Sequence, residues 1–172
     1  HHFIPSPSSD VYSTQPAADS DGCYVADTAH IHSDATLVGP VVVDSDAVIE
    51  AGAVVGPYAA IGSSATVGAG AVLRDVVVDT DTTIGPNTTA TDLVVGQGCD
   101  IGAGLTAAGN PTEIVLNGSV YSDIDLSGVL ADRVTIGGGA TLEPGTLVGP
   151  DTTIGDGVVA RGRIDGGSEV VR

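Results

Sequence analysis

Residues 25–78, written in sixes, read VADTAH IHSDAT LVGPVV VDSDAV IEAGAV VGPYAA IGSSAT VGAGAV LRDVVV. Each group begins with an aliphatic residue: Val25, Ile31, Leu37, Val43, Ile49, Val55, Ile61, Val67 and Leu73. The fifth residue of each group is small, and most are alanine: Ala29, Ala35, Val41, Ala47, Ala53, Ala59, Ala65, Ala71 and Val77. A strict period of six fits neither an α-helix nor simple strand alternation. A short fixed period is typical of a solenoid.

The two repeated positions predict how one turn of the solenoid is built. Six residues make one short strand and a bend, and three such strands close a triangular coil of about 18 residues. The aliphatic side chain fills the prism, and the small residue occupies a tight corner. Glycine follows the aliphatic residue at several steps, where we expect it to allow bends with unusual φ: Gly56, Gly62, Gly68, Gly85, Gly96 and Gly102. The sequence therefore predicts an all-β fold, a left-handed parallel β-helix, with residues 23–172 as its domain.

Two short steps interrupt the period of six. The inward residue after Leu73 is Val78, and the one after Ala90 is Val95, so each of these steps has five residues. Both short steps are expected to stack on the same corner of the prism, because they lie one coil apart.

The period stops altogether between about residues 107 and 129. Asn117-Gly118 lies there between Thr112–Leu116 and Ser119–Asp123. Asn-Gly between two alternating runs predicts a β-hairpin, here an insertion that projects from the prism. The period then resumes, which gives six or seven coils in all: Leu130, Ile136, Leu142, Val148 and Ile154.

The segment before the repeats has a different character. Residues 1–22 are rich in Pro, Ser and Asp, which is typical of a linker or an extended arm. His1 and His2 are interpreted as the remnant of a purification tag. A linker in front of a solenoid suggests a further domain upstream.

The net charge limits the kinds of partner that this chain can bind. It has 5 basic and 22 acidic residues and a net charge of −17. Such a surface repels nucleic acid and anionic membranes. Surplus Asp without any lysine is typical of adaptation to high salt, where screening weakens self-repulsion. With no membrane-spanning run and no visible signal peptide, we expect a cytoplasmic protein of a salt-adapted organism.

The order of several motifs resembles a known family. Gly102-Ala103-Gly104, Thr106-Ala107, the Asn117-Gly118 hairpin and the segment 128–135 are similar to the C-terminal β-helix of archaeal-type bifunctional sugar-1-phosphate nucleotidyltransferase/acetyltransferases. UDP-N-acetylglucosamine pyrophosphorylase/glucosamine-1-phosphate acetyltransferase is the type case. The resemblance covers roughly residues 25–165. It implies a homotrimer in which acetyl-CoA lies between neighbouring prisms, with a sugar phosphate beside it.

The same resemblance implies roles for individual residues. Arg74 and Asp100 fall on substrate-binding positions. The backbone of Ala103 falls on a position that contacts acetyl-CoA, and Gly138 and Asp156 fall on positions that line the CoA groove. Separately, Arg161 and Arg163 alternate on one predicted strand, so they are candidates to bind a CoA phosphate or to neutralise the chain's own carboxylates.

The sequence departs from the family at the catalytic position. Members have Gly-His-x-x-Tyr-x-Gly-Asp where this chain has residues 85–92, so Pro86 replaces the histidine and Thr89 the tyrosine. Proline cannot take a proton from the attacking amine. Gly109 replaces an asparagine, and Ser122–Asp125 replaces a basic stretch. No catalytic residue is assigned.

Three functional hypotheses remain. The first is a trimerising C-terminal domain of a sugar-1-phosphate nucleotidyltransferase-like protein, with an altered or silent acetyltransferase site. The alternative is an active acetyl-CoA-dependent sugar acyltransferase. The most remote is a γ-type carbonic anhydrase-like protein, because His30 and His32 flank an inward Ile31. A resemblance to that family would imply a zinc site formed by three histidines shared between chains. This chain has only two internal histidines, so no metal ligand is assigned.

Overall fold

The computed structural model describes residues 12–13, 22–109 and 111–172. Most of the predicted tag remnant and linker, residues 1–22, lies outside the described residues. Within that description the chain forms strands and no helix, and hence no helix that could cross a membrane.

The strands are short and follow each other closely. In chain order they are β1 Tyr12–Ser13, β2 Cys23–Val25, β3 His30–His32, β4 Thr36–Leu37, β5 Val41–Val43, β6 Val48–Ile49, β7 Val54–Val55, β8 Ala59–Ile61, β9 Thr66–Val67, β10 Val72–Val78, β11 Thr83–Ile84, β12 Thr89–Val95, β13 Asp100–Ile101, β14 Thr106–Ala107, β15 Pro111–Leu116, β16 Ser119–Asp125, β17 Gly128–Leu130, β18 Thr135–Ile136, β19 Thr141–Leu142, β20 Thr146–Val148, β21 Thr153–Ile154, β22 Val159–Ala160, β23 Arg163–Ile164 and β24 Glu169–Val170.

Parallel pairing between coils arranges these strands on three faces. The first face contains β3, β6, β9, β11, β13, β18, β21 and β24. The second contains β4, β7, β14, β19 and β22 with the beginnings of β10 and β12, and the third contains β2, β5, β8, β17, β20 and β23 with the ends of β10 and β12. We call the bend after each face the first, second and third corner. The stack is the predicted left-handed β-helix, with about eight turns rather than six or seven. The sequence count fell short because the last coil, β23 and β24, lies beyond the final clear hexad.

The core is the column of aliphatic side chains that the hexads predict. Every aliphatic position from Ile31 to Leu73 is buried, while Val25, in the first coil, is half-buried. Alanines and Thr146 and Thr152 fill the small positions, as expected.

One predicted small position is wrong. Val77 is 49% exposed, and Val76 is the buried residue, at 1%. The cause is the five-residue step: the second corner contains only Arg74 and Asp75, and Asp75 has a φ of 51°. The predicted stacking of the two short steps is confirmed, because β10 and β12 pair residue for residue from Val72↔Thr89 to Val78↔Val95.

The glycines after the aliphatic residues serve a different purpose from the one expected. Of the six, only Gly56 has a positive φ, at 101°. The others are needed because the next coil passes too close for a side chain. A Cβ on Gly85 would lie 2.5 Å from the carbonyl carbon of Gly102, and one on Gly68 would lie 2.5 Å from the nitrogen of Pro86.

Two antiparallel pairings depart from the solenoid pattern. β1 pairs with β3, so Tyr12 lies opposite His32 at the edge of the first coil. β15 pairs with β16 across Asn117 and Gly118, whose φ values are 50° and 79°. Such positive φ values at both central residues are typical of a type I′ turn.

Candidate functional site

Four residues singled out by the resemblance lie in one column at the first corner. Pro86, Ala103, Gly138 and Asp156 belong to successive coils, and backbone N–H groups of the following coil donate to the carbonyls of Pro86 at 2.9 Å, Ala103 at 2.8 Å and Gly138 at 2.8 Å. The N–H of Gly138 donates to Oδ1 of Asp156 at 2.9 Å. The positions implied for acetyl-CoA are therefore brought together, and Pro86 stands directly beside them.

The two positions implied for the substrate are not brought together. Asp100 is exposed in β13 on the first face, whereas Arg74 lies at the second corner, within β10. The guanidinium of Arg74 is instead beside its chain neighbour, with Nε 3.6 Å from Oδ2 of Asp75.

The second corner holds a cluster of carboxylates around Arg74. Asp92 stacks on Asp75 from the neighbouring coil, and it has a φ of 55°. The hydroxyl of Ser127, where the chain returns to the prism, donates to the carbonyls of Thr91 at 2.5 Å and Asp92 at 3.1 Å.

Charge and burial act together on Asp92. Burial raises the pKa of its carboxyl, the carboxylates of Asp75 and Asp125 raise it further, and Arg74 lowers it. The raised pKa gives the Asp92 carboxylate some of the character of a general base.

Replacing Asp92 by Asn should stabilise the protein at pH 7. Because the folded-state pKa is raised, protonation favours the fold; this contribution is complete below the unfolded pKa and is lost as pH rises through the folded one. At pH 7 and low salt we expect Asp92→Asn to raise the thermal midpoint by about 1–2 °C, since partial exposure weakens the effect. The gain should disappear near pH 3, as followed by circular dichroism.

Asp151 provides the matched control, because its φ of 57° suits asparagine equally well. Arg133 bonds to it at 2.7 Å and holds its pKa below the usual range. That stabilisation exists above the unfolded pKa and is lost as pH falls through the folded one. Asp151→Asn should therefore lower the midpoint at pH 7. Equal effects of the two substitutions would contradict this account.

A groove of about 520 Å³ lies near the C-terminal end of the third face. We call it the third-face groove; its lining includes Leu126, Val129, Leu147, Arg163 and Ile164. Its walls are mainly apolar, and Arg163 supplies a cation at the rim.

The two C-terminal arginines differ in position. Arg163 begins β23, while Arg161 lies before that strand at the second corner, so they do not alternate on one strand as the sequence suggested. Each has a loose carboxylate neighbour at 4.0 Å: Glu143 for Arg161 and Asp165 for Arg163. Only Arg163 lines the groove.

An unbroken row of apolar residues leads along the third face to this groove. The pairing places these outward residues directly over one another in successive coils, and we call them the third-face stripe: Tyr24, Val42, Ala60, Val77, Val94, Val129 and Leu147. Most are exposed, and the row ends at Arg163. The outward positions of the first face are by contrast mostly polar: His30, Val48, Thr66, Thr83, Asp100, Thr135, Thr153 and Glu169.

Sequence reasoning did not identify the groove, the stripe or the cluster around Asp92. A signal for the stripe was present, because third-face strands carry an apolar residue between two inward ones, as in Val41–Val43 and Val76–Val78. The groove had no local signal, since Leu126 and Leu147 meet only across coils. In the part of the chain described, no three His, Cys, Asp or Glu side chains gather as metal ligands.

Solved structures that share this β-helix fold include three acyltransferases. The PglB acetyltransferase domain from Neisseria gonorrhoeae, solved with acetyl coenzyme A, matches with a TM-score of 0.52 and 19% identity over 83% of this chain and 53% of that one. A variant of perosamine N-acetyltransferase from Caulobacter crescentus, solved with CoA and GDP-perosamine, matches with a TM-score of 0.52 and 23% identity over 80% and 50%. A variant of the N-acyltransferase AntD from Bacillus cereus matches with a TM-score of 0.53 and 13% identity, over 81% of this chain and 73% of that one.

A match to a family model covers the middle of the chain. Residues 37–121 match the family described as the GMPPB C-terminal domain. No curated protein matches the chain. The chain spans about half the length of the first two structures named above.

Proposed function

We propose that this chain is the trimerising C-terminal β-helix domain of a sugar-1-phosphate nucleotidyltransferase-like protein, with an altered or silent acetyltransferase site. The observation that carries the proposal is Pro86, which stands beside Ala103 in the first-corner column. An acetyl transfer to an amine needs a base at the reacting centre, and proline offers none. The match of residues 37–121 to a family named for a C-terminal domain supports the position within a longer protein.

The first-corner column fits the middle of an acyl-CoA better than its phosphates. A Cβ on Gly138 would meet only the carbonyl oxygen of Ala103, at 3.6 Å, so a slender uncharged chain has room to pass. The carboxylate of Asp156 already accepts from Gly138 and would repel a phosphate. Phosphates would need Arg161 or Arg163, and a sugar phosphate would need Arg74. An acyl-CoA supplies the activated thioester carbonyl for acyl transfer.

The third-face stripe supports the homotrimer. A long exposed apolar row is unusual on a monomer and typical of a surface covered by a partner. In a chain with a net charge of −17 it is the natural place for copies to meet. A second copy presents the same neutral surface, so association there avoids most of the electrostatic repulsion.

The third corner supports adaptation to salt. Asp44 and Asp79 hold the same position at this corner two coils apart, with Gly62 between them. At this corner the carboxylates of Asp44 and Asp79 therefore stand about 10 Å apart, a distance at which salt screens them effectively.

Acetyl-CoA binding measured by calorimetry in molar salt tests the silent site. We expect weak or no binding and no consumption of an amino-sugar phosphate. If binding is seen, Arg161→Ala should weaken it roughly 10-fold by removing a cation from the phosphates. Arg133→Ala is the control, because it removes an exposed charge at the third corner, away from the first-corner column. Turnover of a sugar amine would overturn the silent-site proposal.

The second candidate function is an active acetyl-CoA-dependent sugar acyltransferase, and Asp92 is the observation that favours it. With its raised pKa, this carboxylate is a candidate base at the second corner, and it would act on the first-corner column of a neighbouring copy, because the two corners of one chain are separate. If turnover is found, Asp92→Asn should abolish it while leaving the fold at least as stable.

A further inference from the structure

The hairpin formed by β15 and β16 has apolar side chains that nothing in the described chain covers. Val115 and Val120 lie directly opposite each other, so they share one side of the ribbon. They are 64% and 60% exposed, and Tyr121, which points to the other side, is 49% exposed. An isolated two-stranded ribbon is marginally stable in water, so this one needs a surface to pack against.

The third-face groove offers a surface of matching chemistry. Its walls include Leu126, Val129 and Leu147, and its rim holds Arg163 with the carboxylate of Asp165 4.0 Å away. The hairpin carries Glu113, Asp123 and Asp125, all exposed. The apolar pair of the ribbon therefore complements the apolar walls of the groove, and the ribbon's carboxylates are attracted to Arg163, whose charge Asp165 offsets in part. Few other surfaces of this chain would attract it, since basic residues number only five.

The hairpin and the groove of one chain remain apart, although both adjoin Leu126. Val115, Val120 and Tyr121 are exposed, so they do not lie in their own groove. A strand of six residues, as in β15, spans about 20 Å, which is enough to reach an adjacent prism.

We propose that the hairpin of one copy occupies the third-face groove of the next copy, with Val115 and Val120 against Val129 and Leu147. This inference rests on the trimer proposed above. Hairpin to groove is a head-to-tail contact, and such contacts close into a ring when the rotation between copies allows it. Three copies close the ring, and each hairpin then ties two chains together.

Cysteine crosslinking tests the contact directly. In a background with Cys23→Ala and Cys99→Ala, the variants Val120→Cys and Leu147→Cys are mixed and oxidised in molar salt. A disulfide requires Cα atoms within about 7 Å, so only hairpin-in-groove docking brings the two together. We expect crosslinked dimers from this mixture. A mixture of Val120→Cys with Val42→Cys is the control, because Val42 lies at the far end of the same stripe; we expect no crosslinks there.

A chain that carries both Val120→Cys and Leu147→Cys distinguishes the outcomes. Covalent species that stop at three chains support the ring. An uncrosslinked trimer would overturn the hairpin contact alone and leave the trimer standing. A disulfide within one chain would also overturn the contact, because the hairpin would then fill its own groove. A monomeric mass for the unmodified protein in molar salt would overturn the trimer and this inference together.

Discussion

Replacing Gly102 by alanine should lower the thermal midpoint by about 6–12 °C, a cost of about 3 kcal/mol. The new Cβ would lie 2.7 Å from both the carbonyl carbon of Gly137 and the nitrogen of Gly138, and 2.9 Å from the carbonyl oxygen of Ile136. All three are backbone atoms of the next coil. They cannot move without spreading the parallel ladder, so the clash cannot be relieved by a side-chain rotation.

Gly138→Ala is the matched control. Its Cβ would find only the carbonyl oxygen of Ala103, at the ordinary distance of 3.6 Å. Neither Gly102 nor Gly138 has a positive φ, so backbone strain does not distinguish them. We expect the midpoint of Gly138→Ala to remain within about 2 °C of the unmodified protein. Equal loss in both variants, measured by calorimetry or circular dichroism, would contradict the close approach of the coils.

Two adjacent valines should respond in opposite ways to the same substitution. Val76→Asp places an unpaired carboxylate in the prism, at a cost of more than about 4 kcal/mol, so we expect no cooperative unfolding transition. Val77→Asp places the carboxylate on the third-face stripe, where the fold tolerates it. In the proposed trimer three such charges would enter the interface, and we expect a folded monomer by sedimentation velocity.

This pair also tests where the chain shortens its step. Had the six-residue spacing continued through the second corner, Val77 would be the buried residue and the two outcomes would be exchanged. A folded Val76→Asp protein together with an unfolded Val77→Asp protein would show that the six-residue spacing continues and that Val77 is the buried residue.

Much of the fold follows from local sequence because each coil needs the same residue types at the same positions. Ile49 and Ile101 are recognisable as inward residues, since a narrow prism accepts an aliphatic side chain at every sixth position. The two five-residue steps were also visible. The position at which the step loses one residue was not visible, because the shortening could fall anywhere between Leu73 and Val78. The left-handed conformation of Asp75 decides it.

The glycines and the site were harder to predict for a common reason. Gly68 and Gly85 occupied the expected positions, but the need for them arises from the next coil, which the local sequence does not describe. The raised pKa of Asp92 likewise comes from burial and from carboxylates distant in sequence, including Asp125 at the end of β16. Pro86 was noticed at the sequence level through the family resemblance, since the loss of a base is a property of one residue.

Tyr12 and Ser13 run antiparallel to the first coil, so they end the parallel ladder of the first face at that end of the prism. Identical solenoids polymerise when the terminal coil of one molecule accepts another coil in parallel. A second molecule that meets this edge finds the hydrogen-bonding groups already paired with a strand of the wrong direction. This two-residue strand thus favours discrete particles over filaments, even in concentrated solution.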